Sequence, residues 1–163
     1  MKSRAIVTLA DSNYFDLLLE LIASIKRFEQ SNDVSICVLD AGLKEDQIKN
    51  LNGKVEIIKK AKWDIEVPSY KTLGKEWLKS QVSRAFLPEY FPDFEKYLWI
   101  DCDAWVNTWE CVDLYFKAFF KFFCQITQHG ESLTREKTPM FKCGAKAIFL
   151  ATLSGNPDFF ACL

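Results

Sequence analysis

Tyr97-Leu98-Trp99-Ile100-Asp101-Cys102-Asp103 runs from four apolar or aromatic residues straight into two carboxylates, and Ala104-Trp105-Val106 follows. A short apolar run of this kind predicts a buried strand. Asp101 and Asp103 then stand just past the strand's carboxyl end, two residues apart. There they point the same way and can share one divalent cation. Oxygen donors suit hard ions such as Mg2+ or Mn2+, and an ion of that kind normally holds a diphosphate.

An Asp-x-Asp triplet alone carries little information, and its place against an apolar run is what gives it weight. The rival is the phosphatase type, whose first Asp is a nucleophile. That type follows the first strand of the chain and continues into Thr. Here the triplet comes at residue 101 and continues into Ala104-Trp105.

Further strands flank this one. Ala5-Ile6-Val7-Thr8-Leu9 and Val34-Ser35-Ile36-Cys37-Val38-Leu39 read as strands, and Val55-Glu56-Ile57-Ile58 as a third after the Asn52-Gly53 turn. Between the first two, Leu18, Leu21, Ile22, Ile25 and Phe28 recur at the spacing of a helix packed by one face. Ala10-Asp11-Ser12-Asn13 precedes it with helix-capping residues. A polar helix is expected over Lys44 to Leu51, another from Lys75 to Leu87 before Pro88, and a third over Val112 to Phe120. Phe123-Cys124-Gln125-Ile126 is a further candidate strand.

Strands alternating with helices predict an α/β sheet, mostly parallel, with right-handed crossovers. Ligands of such sheets bind beyond the carboxyl ends of the strands. Asp11, Asp40 and the Asp101/Asp103 pair all fall on that edge. Carboxylates crowded there repel unless a cation or ligand hydroxyls compensate, although Asp also caps strand-to-helix turns in its own right. No glycine-rich phosphate loop of the dinucleotide or ATP kind is present.

The 163 residues suit one domain with a real core, and 49% apolar with 15% aromatic content is globular. A net charge of −1 leaves no basic surplus for nucleic acid. Six cysteines contain no Cys-x-x-Cys pair and accompany a single histidine, so zinc spacing is absent. Free thiols point to a reducing cytoplasm, with peripheral membrane contact left open. The N-terminal apolar stretch ends at Asp11, too short for a secretory signal. No apolar run reaches the roughly 18 residues of a transmembrane segment.

Three stretches carry a family resemblance: Ala10-Asp11-Ser12-Asn13-Tyr14, Ser83-Arg84-Ala85-Phe86-Leu87-Pro88, and Tyr97 to Asp103. In order and spacing they resemble the motifs of glycosyltransferase family 8, which has the Rossmann-like GT-A fold. The resemblance covers roughly residues 4–126 of a single nucleotide-diphospho-sugar-binding domain. It implies a UDP-sugar donor, a Mn2+ (or Mg2+) cofactor, and transfer of a hexose with retention to a saccharide or lipopolysaccharide-type glycolipid acceptor.

The resemblance also implies roles for individual residues. Asp11 and Asn13 would contact uracil and ribose, with Leu9 and Ala10 offering backbone beside the base. Arg84 would contact the donor, as an arginine fork suits oxygen-rich ligands. Asp101 and Asp103 would bind the metal, and Cys102 would lend backbone at the ribose. Lys79 would add positive charge near the diphosphate, unless it is simply solvated. No catalytic nucleophile follows from the pattern.

Residues 127–163 depart from the family. Phe141-Lys142-Cys143-Gly144-Ala145 loosely resembles its Asn-x-Gly segment, but Lys142 replaces the Asn and turns a two-way amide into a donor-only cation. His129 comes too early to match the late histidine of the metal shell, and the family's Asp-Gln-type and acceptor segments have no counterpart before Leu163. The expectation is a C-terminally truncated member. Two readings compete with an active transferase: a catalytically inactive nucleotide-sugar-binding remnant, and an interaction protein on an unrelated α/β fold.

Overall fold

The computed structural model describes residues 3–66, 68, 70, 73–75 and 78–117, together with the backbone of 147–151. Five parallel strands form one sheet: β1 (Arg4–Ala10), β2 (Ser35–Asp40), β3 (Ile57–Lys60), β4 (Lys96–Ile100) and β5 (Ala147–Ala151). Their order across the sheet is β3-β2-β1-β4-β5. From β1 the chain first winds outward through β2 to β3. It then crosses back to the other side of β1 and continues outward through β4 to β5. The reversal lies between β1 and β4, and a crevice opens at such a point beyond the strand ends.

Both faces of the sheet are covered, and this is why its strands read as nearly continuous apolar runs. Side chains alternate between two cores. Ile6, Ala10, Ile36, Val38, Leu98 and Ile100 face α1 (Phe15–Lys26) and α5 (109–117). Val7, Leu9, Cys37, Leu39, Tyr97 and Trp99 face Leu87, Tyr90, Phe91 and Phe94 on the other side. The helical spacing in α1 meets the sheet as expected, with Leu18, Leu21, Ile22 and Ile25 buried, and the polar helix after β2 forms as α2 (Glu45–Leu51). Each such aliphatic side chain contributes about 2 kcal/mol on full burial.

Three expectations need adjustment. The third strand begins at Ile57 instead of Val55. Residues 52 and 55 form only an isolated bridge, while the Glu56 carboxylate accepts from Ile36 N at 2.6 Å. As an edge strand with half-buried and exposed side chains, β3 lacks the apolar pattern that would mark its start. The helix expected over Lys75 to Leu87 is three short pieces: α3 (Lys79–Ser83), a 3-10 turn (Arg84–Phe86) and α4 (Leu87–Tyr90). Pro88 opens α4 within its first turn, where its missing N–H costs nothing. The helix expected from Val112 already starts at residue 109.

Strand β5, unpredicted from the sequence, pairs with β4 from Lys96↔Ala147 to Ile100↔Ala151. The candidate strand Phe123–Ile126, His129 and the Phe141–Ala145 segment lie outside the described residues. No helix among the described residues is long and apolar enough to cross a membrane.

Candidate active site at the switch point

Asp11 follows β1 and its carboxylate shapes the turn into α1. Asp11 Oδ1 accepts from the backbone N–H of Asn13 at 2.8 Å and of Tyr14 at 3.2 Å. The turn is tied to the end of β2 as well. Ser12 N donates to Gly42 O at 3.2 Å, and Gln47 Nε2 donates to Ser12 O at 3.2 Å. Gly42 holds a φ of +134°, which glycine adopts without strain, and a side chain there would approach Asp11 Cβ. Asp40 plays the turn role alone, its Oδ1 accepting from Gly42 N and Leu43 N at 2.7 and 2.6 Å.

Beyond β4, Asp101 accepts two side-chain hydrogen bonds on one oxygen. Arg84 Nη2 and Trp99 Nε1 each lie 2.7 Å from Asp101 Oδ1. The Arg84 guanidinium also rests 5.0 Å from the Trp99 ring centroid. The Arg84 side chain is 10% exposed, and its Nε has no partner among the described residues. A guanidinium carries several donors, and one carboxylate oxygen engages only one of them here.

The segment that presents Arg84 is anchored from behind. Ser83 Oγ donates to Asp64 at 3.1 Å, Tyr90 Oη donates to the same carboxylate at 2.9 Å, and Tyr90 Oη accepts from Lys62 N at 2.9 Å. Burial, opposed by the Lys62 hydrogen bond and joined by the bond to Asp64, raises the Tyr90 hydroxyl above its ordinary 10.0. The far side of the carboxylate turn is pinned to α1. Ser24 Oγ accepts from Val106 N at 3.0 Å, and Arg27 Nη2 donates to the carbonyls of Val106 and Asn107.

A cavity of about 240 Å³ opens between these turns, lined by Leu9, Ala10, Asp11, Tyr14, Ser80, Gln81, Arg84, Asp101, Cys102 and Asp103. Seven of the eight expected site residues therefore share one cavity. Asn13 does not line it; it is exposed, and its backbone N–H serves the Asp11 turn. Lys79 does not line it either, its Nζ lying 5.8 Å from the Trp63 ring centroid. Tyr14, Ser80 and Gln81 were not anticipated. Tyr14 had a signal, as the aromatic at the end of the Ala10–Tyr14 motif. Ser80 and Gln81 had none, because short polar helices look alike in one dimension.

The cavity is acidic at its floor. Burial first, then the charges of Asp103 and Asp101, push the Cys102 thiol up to about 12. Two carboxylates are a common protein share of a Mg2+-type site, where water and phosphate oxygens complete the shell. The residues present fit such an ion. Among the described residues, Asp101 Oδ2 has no hydrogen-bond partner while Oδ1 is held by two donors, and Asp103 is exposed without a side-chain partner. No cluster of three or more His, Cys, Asp or Glu side chains suited to a metal occurs among the described residues. A complete protein shell is therefore not present there.

The model of the family described as "Glycosyl transferase family 8" matches residues 5–115, about two thirds of the chain. The chain belongs to glycosyl transferase family 8. Its parallel sheet flanked by helices is the Rossmann-like arrangement expected of that family, and the reading as an interaction protein on an unrelated fold is set aside. Two solved structures resemble this family 8 chain: an active-site mutant of LgtC, and galactosyltransferase LgtC in complex with donor and acceptor sugar analogs. Each is 26% identical, covers 66% of this chain and 41% of its own, with TM-scores of 0.47 and 0.48. The chain thus spans less than half the length of these structures. Comparison with curated proteins gives no match.

Proposed function

We propose that this family 8 domain binds a UDP-sugar in the switch-point cavity with a divalent cation, Mn2+ or Mg2+, held by Asp101 and Asp103. The hexose would pass, with retention, to a saccharide or glycolipid acceptor. The observation that carries the reading is the convergence of Leu9, Ala10, Asp11, Arg84, Asp101, Cys102 and Asp103 on one cavity from three separate parts of the chain.

The chemistry of the walls supports it. Arg84 lines the cavity with its guanidinium, and a diphosphate supplies oxygens to accept from it. Asp11 stands at the other wall, one oxygen committed to its turn, where it can accept from a ribose hydroxyl or the base. Leu9 and Ala10 are nearly fully buried and offer a flat apolar border. When bound between Asp101 and Asp103, a divalent cation would neutralise diphosphate charge during departure. Arg84 would add positive charge beside it, and its pairing with Asp101 keeps it in place before ligand arrives.

Calorimetric titration of uridine diphosphate, with Mn2+ and then with chelator, tests the proposal. Cation-dependent binding is the expected result; absence of binding to folded protein in both conditions overturns it. Adding donor sugar and following its hydrolysis or transfer then separates a working transferase from a domain that only binds nucleotide.

A further inference from the structure

Trp99 touches two of the site's charged residues, Arg84 and Asp101, without lining the cavity. It is the penultimate residue of β4, 1% exposed, with its ring in the core that also holds Leu87 and Tyr97. A buried indole N–H needs an acceptor, and here it is Asp101 Oδ1 at 2.7 Å. The ring face lies under the Arg84 guanidinium, 5.0 Å from its Cζ. One rigid side chain therefore bonds to the carboxylate and stacks on the cation that pairs with it.

Building on the assignment of Asp101 to the cation, we infer that Trp99 is a positioning residue for the cation site. Its N–H, together with Arg84, immobilises Asp101 through Oδ1, while Oδ2 has no hydrogen-bond partner among the described residues. A carboxylate anchored in this way gives up less freedom when it takes a metal, which is how outer partners raise metal affinity. The strand alone would accept another large apolar residue at position 99. Phenylalanine would keep a ring face for Arg84 but would lack the donor, so the inference rests on one N–H.

Trp99→Phe is the direct test, read as the Mn2+ concentration that half-saturates uridine diphosphate binding. Tyr97→Phe is the matched control. Tyr97 is equally buried in the same strand and donates from its hydroxyl to the carbonyls of Phe91 and Phe94, away from Asp101. The expected result is a roughly 10- to 100-fold higher Mn2+ requirement in Trp99→Phe and none in Tyr97→Phe. A Trp99→Phe requirement within about twofold of the parent, or an equal shift in both variants, overturns the inference. If the unmodified protein itself shows no Mn2+-dependent binding, the donor-site reading fails first and the inference falls with it.

A second measurement needs no substitution at Trp99. In 15N-labelled protein carrying uridine diphosphate, addition of diamagnetic Mg2+ should move the Trp99 indole N–H resonance and leave that of Trp109 in place. An unmoved Trp99 signal, with nucleotide bound, overturns the inference even if Trp99→Phe does not fold.

Discussion

Arg84 and Asp101 lie seventeen residues apart in sequence and form a 2.7 Å ion pair at the point where the sheet reverses its winding. The pair joins the segment between α3 and α4 to the carboxyl end of β4. It is largely sheltered, with side-chain exposures of 10% and 23%. Removing one partner of such a pair leaves the other charge uncompensated.

Arg84→Ala should therefore lower stability by about 2 kcal/mol, below the fully buried range because the carboxylate is partly hydrated. It should also abolish measurable uridine diphosphate binding. Arg84→Lys should recover part of the stability but little of the affinity, since an ammonium cannot reproduce the fork. Denaturant midpoints and calorimetry on the two variants check both halves.

Asp103 is exposed and engages no other side chain among the described residues. Asp103→Ala should change stability by less than about 0.5 kcal/mol. The same change should remove the Mn2+-dependent part of uridine diphosphate affinity. Unchanged cation-dependent binding in this variant would sink the metal assignment.

Tyr90 links the Arg84 segment to the Lys62–Asp64 turn, and burial raises its hydroxyl above 10.0 in the fold. Below about pH 10 folded and unfolded chains both hold this proton, and its contribution to stability is complete. As pH rises further the unfolded chain releases its proton first, so stability falls toward the higher folded value. Tyr115, raised chiefly by its own burial, adds a similar fall. Tyr90→Phe should cost about 1 kcal/mol at neutral pH from the lost hydrogen bonds. It should also make the alkaline decline shallower without abolishing it. Urea midpoints at about pH 8 and about pH 10.5 report the difference.

The Cys102 thiol, pushed up from 9.0 to about 12 by burial and by the Asp103 and Asp101 charges, should react slowly with alkylating reagents. At neutral pH its thiolate fraction is about a thousandfold below that of an ordinary thiol. In chelator, mass spectrometry after brief iodoacetamide treatment should find Cys102 unmodified while the fold is intact. Rapid labelling at neutral pH would show that the carboxylate turn is more open than its contacts indicate.

Much of the fold can be read directly from local sequence. The strands β1, β2 and β4 are buried on both faces, so their apolar runs stand out. The periodic face of α1 marks the layer that covers one side of the sheet. The edge strand β3 and the broken helix between Lys79 and Tyr90 are less legible. Edge side chains are half solvated and need no apolar pattern, and a proline that usually ends a helix can equally begin one.

The sequence by itself determined that Asp101 and Asp103 follow a strand, and that Asp11 sits in a strand-to-helix turn. Both are matters of spacing along a few residues, where backbone geometry alone sets direction. Only the tertiary structure decided that these turns face one cavity, because the strand order brings β1 beside β4 across some ninety residues of chain. It also decided that Arg84, Trp99 and Asp101 meet, that Ser80 and Gln81 join the wall, and that Asp40 and Asn13 stay outside. Those outcomes depend on the rotation of short helices against the sheet and on which buried donor finds an acceptor. Such long-range packing leaves no periodic trace in one dimension.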